Sequence, residues 1–195
     1  MKKIILASGS PRRKEILENI GLEFDVVESD YKEDMTLKLP PKELAKFLSR
    51  GKAEDVVKNH SNNIIIAADT FIVCNDEILG KPHTAEVAKE TLNKISNQTL
   101  DVITGYTIIG DSIEYSIESP ISKTITTQVI VKEMTDAEID AYVATSEPLD
   151  KAGAFGIQGH GALLVKEIHG DYYNVMGLPL FDLMESLKKF NVKIL

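Results

Sequence analysis

Two guanidinium groups follow a turn of small residues at Ser8-Gly9-Ser10-Pro11-Arg12-Arg13. Where such a turn opens a helix, unpaired N–H groups and a partial positive charge make an anion site. An ordinary cap flanked by solvated arginines accounts for this short pattern equally well. Asp69 closes the apolar run Ile64-Ile65-Ile66-Ala67-Ala68 and has no charged neighbour in sequence. A carboxylate there is costly unless a metal, a cation or a water uses it. The alternative is an aspartate that caps the next turn. Gly80-Lys81-Pro82 puts one lysine in a tight turn, where a solvated role is the simpler one. Glu33, between Lys32 and Asp34, is bland by itself but could join Asp69 at a divalent cation.

The stretch from Glu147 to Gly159, EPLDKAGAFGIQG, is of another kind. Its glycines allow backbone to approach a ligand closely, and Gln158 carries both a donor and an acceptor suited to a base edge. His60, His83, His160 and His169 have no metal-ligand spacing and read as surface or loop residues. No Ser-His-Asp or Cys-His order stands out. Cys74, among apolar neighbours, reads as a core thiol.

The elements that must position these groups are legible in outline. A first strand over Lys3 to Ala7 runs into the Ser8 turn, with Ser10 as N-cap, Pro11 at the first helical position and Gly21 closing the helix. Glu23 to Glu28 reads as a second strand, and Ser29 to Leu39 as a loop. A helix with Leu44, Phe47, Leu48, Ala53, Val56 and Val57 on its apolar positions follows Pro40-Pro41, weakened by Gly51, and carries Lys52. The Ile64 run is the pattern of a strand buried on both faces, which puts Asp69 near its carboxyl end. Phe71 to Cys74 and Ile78 to Leu79 form a hairpin around Asn75-Asp76. A helix over about Ala85 to Ile95, strands over 101–109 and 113–131, and a helix capped by Thr135 and Glu138 come next. The irregular segment 146–161 precedes a strand near 162–165, a last helix after Pro179 and a short strand near Lys193.

Composition narrows the function classes. With 195 residues and 43% hydrophobic content the chain can bury a substantial core, as one domain or as two lobes. One cysteine excludes an intrachain disulfide and a cysteine-rich zinc site, and fits a reducing cytoplasm. A net charge of −8 argues against nucleic-acid polymers and anionic membranes as partners, so any polyanion is met locally. The apolar run Ile4 to Ala7 is too short for a signal-peptide core or a membrane span. No repeat or linker marks a domain boundary, so 1–195 reads as a single domain.

Six motifs in order resemble the Maf family: SGSPRR at 8–13, Ala68-Asp69-Thr70, Gly80-Lys81-Pro82, Val102-Ile103-Thr104-Gly105, EPLDKAGAFGIQGHGA at 147–162 and YNVMGLPL at 173–180. The resemblance implies a mixed α/β fold, similar to inosine triphosphatases, with an elongated mixed sheet and two lobes around a deep cleft. It implies a nucleotide diphosphatase that cuts a nucleoside triphosphate into monophosphate and pyrophosphate with Mg²⁺ or Mn²⁺. Asp69 matches the family's proton acceptor. Ser8, Arg13, Lys52 and Lys81 match phosphate-handling positions, Lys81 with a catalytic part. Glu33 matches an acid implicated in metal binding or catalysis, so Asp69 and Glu33 are the metal candidates.

Arg12, Thr70 and Gln158 occupy the positions that separate subgroups, and their combination is similar to the branch acting on dTTP and UTP rather than on 7-methyl-GTP. Housecleaning of nucleotide pools, a link to cell-division arrest and a homodimer follow by the same analogy. One departure stands out: Ser96-Asn97-Gln98-Thr99-Leu100 replaces the Ser-Gly-x-x-His of many relatives. Two rival readings remain, a nucleotide-sensing division regulator that does not cut its ligand and a pyrophosphatase of other base specificity.

Overall fold

The computed structural model describes residues 2–34, 36–110 and 119–193. Its strands are β1 (Ile4–Leu6), β2 (Asp25–Val26), β3 (Ile64–Cys74), β4 (Glu77–Leu79), β5 (Thr99–Ile109), β6 (Ile121–Val131) and β7 (Val165–His169). Its α-helices are α1 (Pro11–Asn19), α2 (Pro41–Val57), α3 (Ala85–Ile95), α4 (Asp136–Ala144), α5 (Tyr172–Met176) and α6 (Leu180–Leu187). The strands make one mixed α/β sheet in the order β2-β1-β3-β5-β6-β7, with β4 paired to β3 off that path. β1 runs parallel to β2 and β3, while β4 and β7 run antiparallel to β3 and β6.

The chain forms two compact units. One comprises Met1–Thr70, Thr104–Ile125 and Gly177–Leu195, the other Phe71–Ile103 and Thr126–Met176. Three of the crossings fall inside β3, β5 and β6, so the chain passes from unit to unit along continuous strands. That is why no linker is visible in the sequence. No helix among the described residues is long and apolar enough to cross a membrane.

In the first unit, Ile5, Ala7, Ile65 and Ala67 pack against Ala53 and Val56 of α2. Two glycines set that helix. A Cβ on Gly51 would lie 2.4 Å from the Tyr31 ring, so the glycine that weakens α2 is where the loop after β2 lies against it. A Cβ on Gly105 would lie 2.3 Å from the Ala45 carbonyl carbon, so β5 meets the α2 backbone directly. Ser49, fully buried, shares a 2.9 Å hydrogen bond with Thr107 of β5.

In the second unit, α3 and α4 bury Leu92, Ile95 and Ile139 against Leu100, Val102 and Val129. Thr135 and Glu138 form the expected capping box, and Thr84 caps α3 by accepting from the Val87 amide. Burial pushes the free thiol of Cys74 up, as fits a core position. Asn97 has φ +57, a left-handed conformation that glycine or asparagine adopts readily, and Leu100 is fully buried. The departure from the Ser-Gly-x-x-His pattern therefore fills one backbone requirement and one core position.

Several expectations need correction. Asp69 lies inside β3, which runs unbroken to Cys74, and not at a strand end. The pairing with β1 stops at Ile66, so Asp69 follows the last paired position on that side. β2 is only two residues long and exposed. The segment 159–164 is a 3₁₀ turn, and β7 starts at Val165. The helix at 172–176 has no counterpart in the expected elements. Lys193 is not in a strand, and the expected strand over 113–131 is seen only as Ile121–Val131, since 111–118 lie outside the described residues.

Candidate functional site

In the first unit the sequence-predicted residues converge around the end of β1 and the middle of β3. Asp69 is only 9% exposed, and its Oδ1 accepts a 2.5 Å bond from the Lys52 ammonium. The same ammonium stands 2.7 Å from Oε1 of Glu33. One cation is thus held by two carboxylates, one from the strand and one from the loop pinned by Tyr31 on Gly51. Burial pushes the Asp69 carboxyl above its ordinary value, against the attraction of Lys52 and Arg13, while Glu33 adds to the rise. An aspartate whose proton affinity is raised in this way is a stronger base, when ionised, than a solvated one.

Arg13 anchors the other half of the cluster. Its Nε donates to the Gly177 carbonyl at 2.8 Å, Nη1 to Ser8 Oγ at 3.1 Å and to the Ala68 carbonyl at 2.7 Å, and Nη2 to Thr70 Oγ1 at 3.1 Å. Burial lowers its proton affinity, Asp69 and Glu33 raise it, and Arg12 lowers it further. The φ of +110 at Gly177 is why glycine ends the YNVMG motif there. Thr70 also bonds Thr104 Oγ1 at 3.0 Å, so its hydroxyl belongs to the same network. Ser8 accepts from Arg13 and from the Ser10 amide, which leaves its own O–H to donate. Ser10 caps α1 through its backbone conformation, without a side-chain bond.

Arg12, partly exposed on α1, makes no side-chain hydrogen bond or ion pair among the described residues. The same holds for Lys81 and Gln158 in the second unit. Lys81 is exposed and borders a cavity of about 260 Å³ with Glu77, Glu90 and Lys94. Its turn is tied to the glycine-rich segment by two backbone bonds, from Gly153 to Gly80 and from His83 to Leu149, each 3.0 Å. Gln158, partly exposed, sits where three short 3₁₀ turns take the place of regular structure. Asn174, fully buried, donates to the Val102 carbonyl at 2.9 Å and Thr127 Oγ1 at 3.0 Å, which gives the YNVMG motif a structural part in this unit.

Sequence reasoning brought out Asp69, Lys52, Glu33, Ser8, Arg13 and Thr70, which the fold assembles. It missed Tyr31 and the seat at Gly105, and it treated Glu147 only as the start of a motif. A glycine-rich loop has many backbone donors that need acceptors, and an acid just ahead of such a loop is the signal that could have singled out Glu147.

A family model described as Maf-like protein matches residues 3–190. Over 198 aligned positions the chain is 45% identical to a Bacillus cereus protein named dTTP/UTP pyrophosphatase, spanning 100% of this chain and 93% of that one. It is 44% identical to a Bacillus anthracis protein of the same name, spanning 100% and 98%. Among solved structures, the Staphylococcus aureus Ham1 protein aligns with a TM-score of 0.48 at 16% identity, over 68% of this chain and 73% of that one. A HAM1 protein from Coxiella burnetii aligns at 0.44 and 11%, over 85% and 81%.

Proposed function

The chain belongs to the Maf family, and on that premise we propose that it is a nucleoside triphosphate pyrophosphatase acting on dTTP and UTP. Relatives of that name share 44% and 45% of its residues along its whole length, which supports both the reaction and the pyrimidine assignment. The observation that carries the chemistry is Asp69, a buried carboxylate with raised proton affinity beside a lysine and an arginine.

In this reading Asp69 takes a proton from water as the water oxygen attacks the α-phosphorus. The bond from that phosphorus to the α,β-bridging oxygen breaks, and the electron pair leaves with pyrophosphate. The monophosphate keeps the new oxygen. Lys52, Arg12 and Lys81 offset negative charge on the polyphosphate, Lys81 on the leaving pyrophosphate. Ser8 donates its hydroxyl to a phosphate oxygen. Arg13 and Thr70, with their hydrogen bonds made inside the protein, hold Ser8 and the β3 backbone in place. Gln158 reads the base.

Glu33 and Asp69 both meet the Lys52 ammonium, and their hard carboxylate oxygens are the kind of donor that would hold Mg²⁺ or Mn²⁺ together with phosphate oxygens. Such an ion, when bound, supplies further neutralisation of polyphosphate charge. A cytoplasmic setting accords with the single unpaired thiol, and a homodimer accords with the family resemblance.

Purified protein with Mg²⁺ or Mn²⁺ and a panel of dTTP, UTP, CTP, GTP, ITP and 7-methyl-GTP tests the proposal. Equal amounts of monophosphate and pyrophosphate, fastest from dTTP and UTP, are expected. Binding without pyrophosphate release would make the chain a nucleotide sensor, and a purine preference would overturn the assignment of substrate.

A further inference from the structure

Glu147 has no part in the chemistry above, yet its carboxylate is among the most heavily bonded in the second unit. Its side chain is 17% exposed. Oε1 accepts from the Tyr142 hydroxyl and from the Gly161 amide, both at 3.0 Å. Oε2 accepts from the His160 amide at 2.9 Å and lies 3.2 Å from Nδ1 of the same histidine. Burial pushes this carboxyl up, but the amides of Gly161 and His160 and the Tyr142 hydroxyl reverse the effect and hold it below the usual glutamate value. The bonds that hold it therefore favour its charged form.

The loop above it is closed at its neck. A Cβ on Gly161 would lie 2.4 Å from the Gly156 carbonyl oxygen and 2.6 Å from the Tyr142 hydroxyl, so residues 156 and 161 touch backbone to backbone. Gly159 has φ +67, and a Cβ there would lie 2.7 Å from Oε2 of Glu147. The Lys151 ammonium donates to the Glu147 carbonyl at 2.7 Å, while its stem lies over Gly156. Gln158 stands between these glycines, on a short loop folded over one carboxylate.

We propose that Glu147 is a positioning residue for base selection, holding the 156–161 loop so that the Gln158 amide is presented in one arrangement to the pyrimidine edge. This rests on the reading of Gln158 as the residue that meets the base. A loop ordered before binding loses less conformational freedom when substrate arrives, and a fixed amide cannot turn over to suit cytosine. Without the carboxylate, the amides of His160 and Gly161 lose the acceptor that ties them down and the Tyr142 hydroxyl loses its bond to the loop, which is then free to adapt.

The experiment compares kcat and KM for UTP and CTP in the parent protein, Glu147→Gln, Gln158→Ala and the double variant. Glu147→Gln keeps the volume but turns one acceptor into an NH₂ facing N–H donors. The preference for UTP over CTP in kcat/KM is expected to fall on the order of tenfold, mainly through KM. The acid limb of the pH profile should not move, and Glu147→Gln should bring no further fall in the Gln158→Ala background. Tyr142→Phe, which removes one donor and keeps the carboxylate, should give a smaller fall in the same direction. An unchanged preference in Glu147→Gln, or a loss that adds to that of Gln158→Ala, overturns the proposal. Should Glu147→Gln fail to fold, an unchanged preference in Tyr142→Phe overturns it instead. If Gln158→Ala alone leaves the preference intact, Gln158 does not read the base, and the role of Glu147 falls for that separate reason.

Discussion

The charged cluster of the first unit and the glycine-rich loop of the second hold their side chains by opposite means. Asp69 and Lys52 sit within β3 and α2, and Arg13 within α1, so their backbones are set by sheet and helix bonds before any side chain is placed. Around Gln158, 3₁₀ turns replace regular structure, and the backbone is held by side chains, chiefly the Glu147 carboxylate. On the roles proposed for Asp69 and Gln158, the contrast follows the demands of two tasks. A general base must be placed to a fraction of an ångström, which regular elements do well, while loops can change what is recognised without disturbing the core.

The largest test of that contrast is Asp69→Asn, which keeps the volume and removes the base. A fall in kcat of about 10²–10⁴ is expected. Folding should not suffer. A carboxyl whose pKa is raised on folding contributes stability at low pH that is lost as pH rises through its folded pKa, so its ionised form is a burden on the fold. Near-native turnover in steady-state assays would demote Asp69 to a structural role. The same upward shift predicts that the acid limb of kcat/KM lies above the ordinary aspartate range. A limb within that range would show that another group titrates.

Gly105→Ala sharpens the comparison from the side of the scaffold, because the new Cβ meets the backbone of α2, which cannot step aside as a side-chain tip could. A destabilisation of about 1–3 kcal/mol or more is expected in denaturant unfolding. Gly80→Ala in the second unit has nothing within 4 Å and should stay within about 0.5 kcal/mol. Equal effects would mean that the two units are not held differently at these points.

Gln158→Glu acts on the loop alone, removing the donor and adding charge. A selective loss for UTP and dTTP of roughly 1–3 kcal/mol relative to CTP and GTP is expected in kcat/KM. A uniform drop for all four would assign Gln158 to loop shape. The smallest effect belongs to Thr135→Ala, which breaks the capping box of α4 at about 1 kcal/mol of stability. Base preference should be untouched, because Tyr142, through which α4 meets Glu147, lies about two turns further along the helix, and a change in that preference would show that the first turn of α4 also bears on the loop.

Much of the fold was legible because local rules suffice for it. Pro11 marks the start of α1, Thr135 and Glu138 cap α4, and Asn75 and Asp76, both at positive φ, turn the hairpin. The failures have physical causes as well. The apolar run through Ala68 reads as a strand ending at Asp69, since a carboxylate inside a buried strand is costly without a partner, and the partner lies on another element. Gly51 reads as a weakness in α2 because spacing carries no record of the Tyr31 ring that lies against it.

By itself the sequence determined most of the strands and helices and their order, the motifs, and which residue types were available for phosphate, proton and base. Only the tertiary structure decided how those residues are partnered. It set Lys52 between Glu33 and Asp69, bound Arg13 to Gly177 across 164 positions of chain, and folded the Gln158 loop over Glu147. Capping and periodicity act over one or two turns of chain, whereas the partner of a buried charge is chosen by packing between distant segments, which residue spacing does not encode.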